Sequence, residues 1–273
     1  MLPAISQVCS LPSPFEKDVE DYAAGHCQAI EVWLTKLETY LQSHSLDDVR
    51  RLLQQHEVTA PVASFQGGLL VSQGDARREH WNHFERRLEL CRSLGIKTLV
   101  IAGDVAGPLD EQSFGRLQGS LTQAAAKAGE HGVRLALEFQ AKATYPNNLQ
   151  SAAALVETIG SSNLGLCLDV FHFFTGPSKE ADLAYLNADN LFHVQLCDLI
   201  GQPREFAADG DRILPGDGDF PLAAIVERLR EIDYRGCVSV ELLNSAIWQI
   251  PPRQFGEVGV TALRKVLGLA SMD

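Results

Sequence analysis

Basic residues are scarce in this sequence. Lys and Arg number 23 against 35 Asp and Glu, a net charge of −12 over 273 residues. Phosphate backbones are gripped by clustered Lys and Arg, so the balance argues against a nucleic-acid partner. Long apolar runs are also missing. None approaches the ~18 residues that a membrane span needs, so no membrane association is expected. The opening Met1-Leu2-Pro3-Ala4-Ile5-Ser6-Gln7 carries neither a basic region nor a long apolar one, which argues against a secretory signal. Cys9, Cys27, Cys91, Cys167, Cys197 and Cys237 form no C-x-x-C pair, and several sit in apolar runs. They read as buried free thiols of a protein in the reducing cytoplasm, although an even count leaves a disulfide set open. No G-x-G-x-x-G stands at a first βα turn, which weakens a dinucleotide-binding reading. Low-complexity and linker-like stretches are absent too, so residues 1–273 read as one domain.

What is present is a regular alternation. Short apolar, β-rich runs occur at Ala4–Leu11, Ala29–Leu34, Val62–Phe65, Thr98–Gly103, Arg134–Phe139, Leu164–Asp169, Leu191–Cys197 and Cys237–Leu242. Amphipathic helical stretches lie between them. Ser13-Pro14-Phe15-Glu16 has the pattern of a capping box with proline at the first helical position, and Gly25 fits the far end. Ser45 with Asp48 starts another helix, and Gly95 and Gly132 stand where helices should stop. Regular βα alternation implies a parallel sheet, and eight repeats favour a closed (β/α)₈ TIM barrel of the α/β class.

In such barrels the active site lies where strands end. Four successive strands end in polar, metal-capable groups: Glu138, Asp169, Gln195 and Glu241. One carboxylate after an apolar strand is usually a solvated loop residue or a cap. Several converging on one rim repel one another unless a cation sits between them, which favours a metal site. Glu, Asp, Glu and a Gln amide oxygen form a hard set, suited to Mn²⁺ or Mg²⁺, with Zn²⁺ admitted through carboxylates. His193 shares a strand face with Gln195, one layer away, and is an alternative fourth ligand or a buried histidine below the site. The loop Asp211-Arg212-Ile-Leu-Pro-Gly-Asp-Gly-Asp-Phe220 is either a plain surface turn or a device that brings Arg212 to the acidic rim. Trp33 and Trp248 could line a pocket or simply pack. Glu31 lies near the rim without an assigned role.

These segments resemble the xylose-isomerase-like sugar isomerase and epimerase superfamily, closest to its inosose isomerase and ketose 3-epimerase branches. The resemblance rests on Leu135-Ala-Leu-Glu138-Phe, Leu164-Gly-Leu-Cys-Leu-Asp169-Val-Phe-His172-Phe, Arg212-Ile-Leu-Pro-Gly-Asp-Gly218 and Val238-Ser-Val-Glu241-Leu. It implies one divalent ion held by Glu138, Asp169, position 195 and Glu241. It implies Glu138 and Glu241 as the two catalytic carboxylates, with His172 and Arg212 on the substrate. The family usually has His where this chain has Gln195, and the spacing to Arg212 supports that register over His193. Thr144 stands where the ketose epimerases carry a second substrate-binding glutamate. The implied reaction is proton transfer next to a carbonyl, through a metal-stabilised enediolate, on a sugar or polyol-derived ketone. A dehydratase acting on inosose or dehydroshikimate-like substrates is the runner-up. Abasic-site endonucleases share the barrel but need a basic face, and a non-catalytic sugar-binding barrel is a third class. A small sugar or cyclitol is the expected partner. A homodimer is compatible with the resemblance, with no interface marked in the sequence.

Overall fold

The computed structural model describes residues 1–269. Eight strands form one parallel sheet: β1 Leu2–Ser6, β2 Ala29–Trp33, β3 Thr59–Gln66, β4 Thr98–Gly103, β5 Arg134–Phe139, β6 Leu164–Asp169, β7 Leu191–Leu196 and β8 Cys237–Val240. Their order in the sheet is their order in the sequence, and the sheet closes. The (β/α)₈ expectation holds. No helix among the described residues is long and apolar enough to cross a membrane.

Contacts along the chain gather into two compact units. One comprises Met1–Val62 and the chain from Val194 onward; the other is Ala63–His193. In the second unit, β4 and β6 are buried at every position and β5 at all but its first, Arg134. That is why they read as continuous apolar runs rather than alternating ones. β4 pairs with β5 so that Ala102 lies beside Glu138, and β5 pairs with β6 so that Glu138 lies beside Cys167. Gly165 is required on β6, because a Cβ there would meet the Asn190 carbonyl oxygen at 2.6 Å. Gly95 closes the helix Gly74–Leu94 at φ +75°, a left-handed position that glycine adopts without strain.

In the first unit, β1 pairs with β2 and with β8, placing Ser6 beside Glu31 and Ile5 beside Val240. β7 pairs with β8 and sets Gln195 beside Ser239. The helix Leu46–Gln55 starts with the capping box expected of Ser45 and Asp48. The helix Phe15–Ala24 does not start as expected. Pro14 is its N-cap, without a side-chain cap, so the Ser13 box is not formed, while Gly25 does close the helix. β1 is also shorter than expected. The chain turns into a 3₁₀ helix at Gln7–Ser10, whose residues are all buried and so mimic an apolar strand in sequence. All six cysteines are buried and free, and no disulfide forms. Burial pushes the Cys27 and Cys91 thiols up to about 12.

Candidate active site

In the Ala63–His193 unit, Glu138 stands next to last on β5 and Asp169 ends β6. Both are buried. Asp169 also caps the short helix Val170–Thr175, its Oδ1 accepting from the Phe171 N–H at 2.8 Å. One turn on, that helix carries His172 back over the strand end. His172 Nε2 lies 3.6 Å from Asp169 Oδ2 and 3.7 Å from Glu138 Oε1. One ligand atom from each of the three residues lies within 4.8 Å of the others. Two donors ~2.1 Å from a shared ion stand about 3–4 Å apart, so this spacing fits a divalent cation. Carboxylate oxygens and an imidazole nitrogen are also the right chemistry for one. Thr144 is spent elsewhere: its hydroxyl donates to the Gly107 carbonyl at 2.8 Å.

The unit that begins at Met1 and resumes at Val194 holds a second buried polar group. Gln195, next to last on β7, donates from Nε2 to Glu241 Oε1 at 2.8 Å and to Glu31 Oε1 at 2.9 Å. The Ser239 hydroxyl donates to the other oxygen of Glu31. Arg212 Nη1 donates to Glu241 Oε2 at 3.0 Å, and Nη2 reaches Asp209 at 2.8 Å. Arg212 is 1% exposed, so it is not part of a plain surface turn. Its placement follows from Asp198. That buried carboxylate accepts from the backbone N–H groups of Leu199, Gly216 and Phe220, which clips the loop that follows Arg212. Ile213 and Asp198 also pair as a two-way backbone bridge, and Asn244 holds the Arg212 carbonyl. The Cys9 thiol lies between the backbone carbonyl of Val240 and N–H of Leu242. Burial pushes its pKa well up, and the nearby Glu241 and Glu31 charges add to the effect, although the Leu242 N–H opposes it. No thiolate is offered there.

The remaining expected residues are placed as follows. His193 is wholly buried on β7, two positions before Gln195 and on the same strand face. Trp33 ends β2 and lines a cavity of about 480 Å³ with Phe15, Lys36 and Tyr40. Trp248 donates its indole N–H to the Val8 carbonyl at 2.8 Å.

Residues 21–261 match the family described as xylose isomerase-like TIM barrel. The chain belongs to that family. Among its relatives, the inosose isomerase of Bacillus velezensis is 30% identical over 222 residues, or 80% of this chain and 79% of that one. The 3-dehydroshikimate dehydratase of Pseudomonas aeruginosa is 28% identical over 270 residues, covering 93% of this chain and 40% of its own length. Among solved structures, the IOLI protein with a binding zinc atom superposes with a TM-score of 0.92 at 26% identity, each chain fully covered. The chain is therefore similar both to a named isomerase and to a named dehydratase.

Two members of the site escaped the sequence. Glu31 drew no role, although a charged residue in the middle of Ala-Ile-Glu-Val-Trp was a signal. A carboxylate inside a buried strand needs partners to be tolerated. Asp198, which clips the Arg212 loop, lies just past β7 and has no local sequence pattern that marks it.

Proposed function

We propose that this chain is a divalent-metal-dependent sugar isomerase or epimerase, with Glu138, Asp169, Gln195 and Glu241 as the metal ligands. The observation that carries the reading is the convergence at ligand spacing of Glu138 and Asp169, on two successive strand ends, with His172 on the helix that follows. The family match and the likeness to inosose isomerase support it. The oxygen-rich set favours Mn²⁺ or Mg²⁺, with Zn²⁺ as the alternative.

A bound divalent ion would polarise the substrate carbonyl and a neighbouring hydroxyl, which acidifies the intervening C–H. The residues then divide the work. Of Glu138 and Glu241, one takes the proton from the carbon beside the carbonyl and the other returns it. Return to the opposite face is epimerisation, and return to the neighbouring carbon is isomerisation. Arg212, held between Glu241 and Asp209, orients the Glu241 carboxylate at the rim where the substrate would lie. His172, beside Glu138 and Asp169, donates to a substrate oxygen.

The dehydratase reading is favoured by the long match to 3-dehydroshikimate dehydratase. It shares the first proton abstraction and then expels a β-hydroxyl. Incubation with ketoses and inososes in D₂O with added Mn²⁺ separates the two. Carbon-bound deuterium without loss of water is the expected result. Loss of water from the product would favour the dehydratase. Substrate binding with neither outcome would contradict both and leave a sugar-binding barrel.

A further inference from the structure

The side chain of Gln195 presents a choice that its shape does not make. Amide oxygen and nitrogen are nearly equal in size, and hydrogen-bond partners decide which points where. Here both Nε2 hydrogens go to carboxylate oxygens, on Glu31 and on Glu241. In the flipped orientation Oε1 would face two anionic acceptors, which is repulsive in a buried site. Glu31 is itself locked. It is wholly buried on β2, and its second oxygen takes the hydroxyl of Ser239, the residue that pairs with Gln195 across β7 and β8. Ser239, Glu31, Gln195 and Glu241 therefore form one connected network, in which Glu31 accepts from both Ser239 and Gln195 and Gln195 donates to both carboxylates.

We infer that Glu31 is a positioning residue that commits Gln195 to present its amide oxygen to the metal, and that this makes the site selective for hard oxygen-seeking ions over zinc. The inference rests on the proposed metal site and adds the reason for its ion preference. An imidazole at position 195 would offer nitrogen, which zinc favours. An amide oxygen completes an all-oxygen set with the carboxylates of Glu138, Asp169 and Glu241. Partners behind a ligand fix its orientation, and their loss typically weakens metal affinity about 10–100-fold. Because Glu31 sits behind the ligand, its effect is readable in metal binding without any substrate.

The test is calorimetric titration of the metal-stripped chain with Mn²⁺ and with Zn²⁺, using wild type, Gln195→His, Glu31→Leu and Glu31→Gln, with circular dichroism to verify folding. Gln195→His should raise Zn²⁺ affinity by at least about tenfold relative to Mn²⁺. Glu31→Leu should weaken Mn²⁺ by about tenfold or more, because the amide nitrogen is then held only by Glu241, itself a proposed ligand. Glu31→Gln should stay within about threefold of wild type. Its oxygen still accepts from Gln195 and its amide can donate to Ser239, so the orientation survives without the charge. Equal losses in the two Glu31 variants would mean that charge matters rather than orientation, and would overturn the inference. An unchanged Zn²⁺ to Mn²⁺ ratio in Gln195→His would overturn it too. A wild-type chain that binds neither ion would instead remove the metal site itself, and the inference with it. If Glu31→Leu does not fold, Gln195→His and Glu31→Gln decide the matter.

Discussion

Two buried charged clusters lie in the part of the chain formed by residues 1–62 and the segment from Val194 onward, and they are built on opposite principles. In the first, Lys36 Nζ sits 2.6 Å from Asp18 Oδ2, one charge against one charge. Ser10 and Gln7 supply neutral hydrogen bonds to the same carboxylate. In the second, Glu31 and Glu241 accept from Gln195, Ser239 and Arg212, and of these three donors only Arg212 is charged. Arg212 is also shared with Asp209. Burial alone does not mark function, since both clusters are deeply buried. Charge balance is what separates the two on the proposed reading. A matched pair is a structural device, whereas an acid-rich group in the interior calls for a cation.

The sharpest way to separate the clusters is to remove one carboxylate of the second. Glu241→Gln should keep the fold and lower turnover by about 10²–10⁴-fold on an identified substrate. Steady-state kinetics with Mn²⁺ present would measure it, and wild-type rates would remove Glu241 from the chemistry. Lys36→Met is the counterpart in the first cluster. It should cost about 3–5 kcal/mol in denaturant melts, because Asp18 is left buried without its partner. Its Mn²⁺ affinity should match that of wild type, and a lost affinity would break the distinction.

This contrast also shows what the sequence could disclose. β4, β5 and β6 agree with expectation at both ends, because their apolar runs are buried along nearly their whole length and bounded by turn residues. β1 was overextended because the buried Val8 and Cys9 belong to a 3₁₀ turn. The position of Glu138, Asp169 and Gln195 at strand ends, and of Glu241 just past β8, was legible in the apolar runs. The Glu31–Gln195 contact was not, since it joins residues 164 apart in sequence. No local pattern carries a contact of that range. The burial of Arg212 was hidden for a related reason. It depends on the clip by Asp198, whose partners Gly216 and Phe220 lie in a segment that reads as exposed turn.

A smaller effect comes from the ion. Mn²⁺ at about 100 times its Kd should stabilise wild type by about 2.7 kcal/mol, and chelation should remove that increment. Lys36→Met should gain the same increment, and Glu241→Gln a reduced one, in thermal melts followed by circular dichroism. Equal gains in both variants would mean that the second cluster does not hold the ion.

The smallest effect is a pH dependence of the first cluster. Burial raises the Asp18 carboxyl from 3.8 to about 6, although Lys36 pulls it down. The folded chain therefore keeps this proton over a range in which the unfolded chain has released it. A group of this kind adds stability at low pH and loses it as pH rises. Wild type should lose stability relative to Asp18→Asn between pH ~4 and ~6, by on the order of 1–3 kcal/mol, with no further change above. Urea melts across that range would measure the difference. A relative gain would mean that the Lys36 charge, not burial, dominates Asp18.

The most direct test of the account is a crystal of the chain soaked in Mn²⁺ and read by anomalous scattering at the manganese edge. The account predicts one ion with oxygen ligands from Glu138, Asp169 and Glu241 and the amide oxygen of Gln195. An ion held through His193 in place of Gln195, or carboxylates that gather no ion at saturating Mn²⁺, would contradict it.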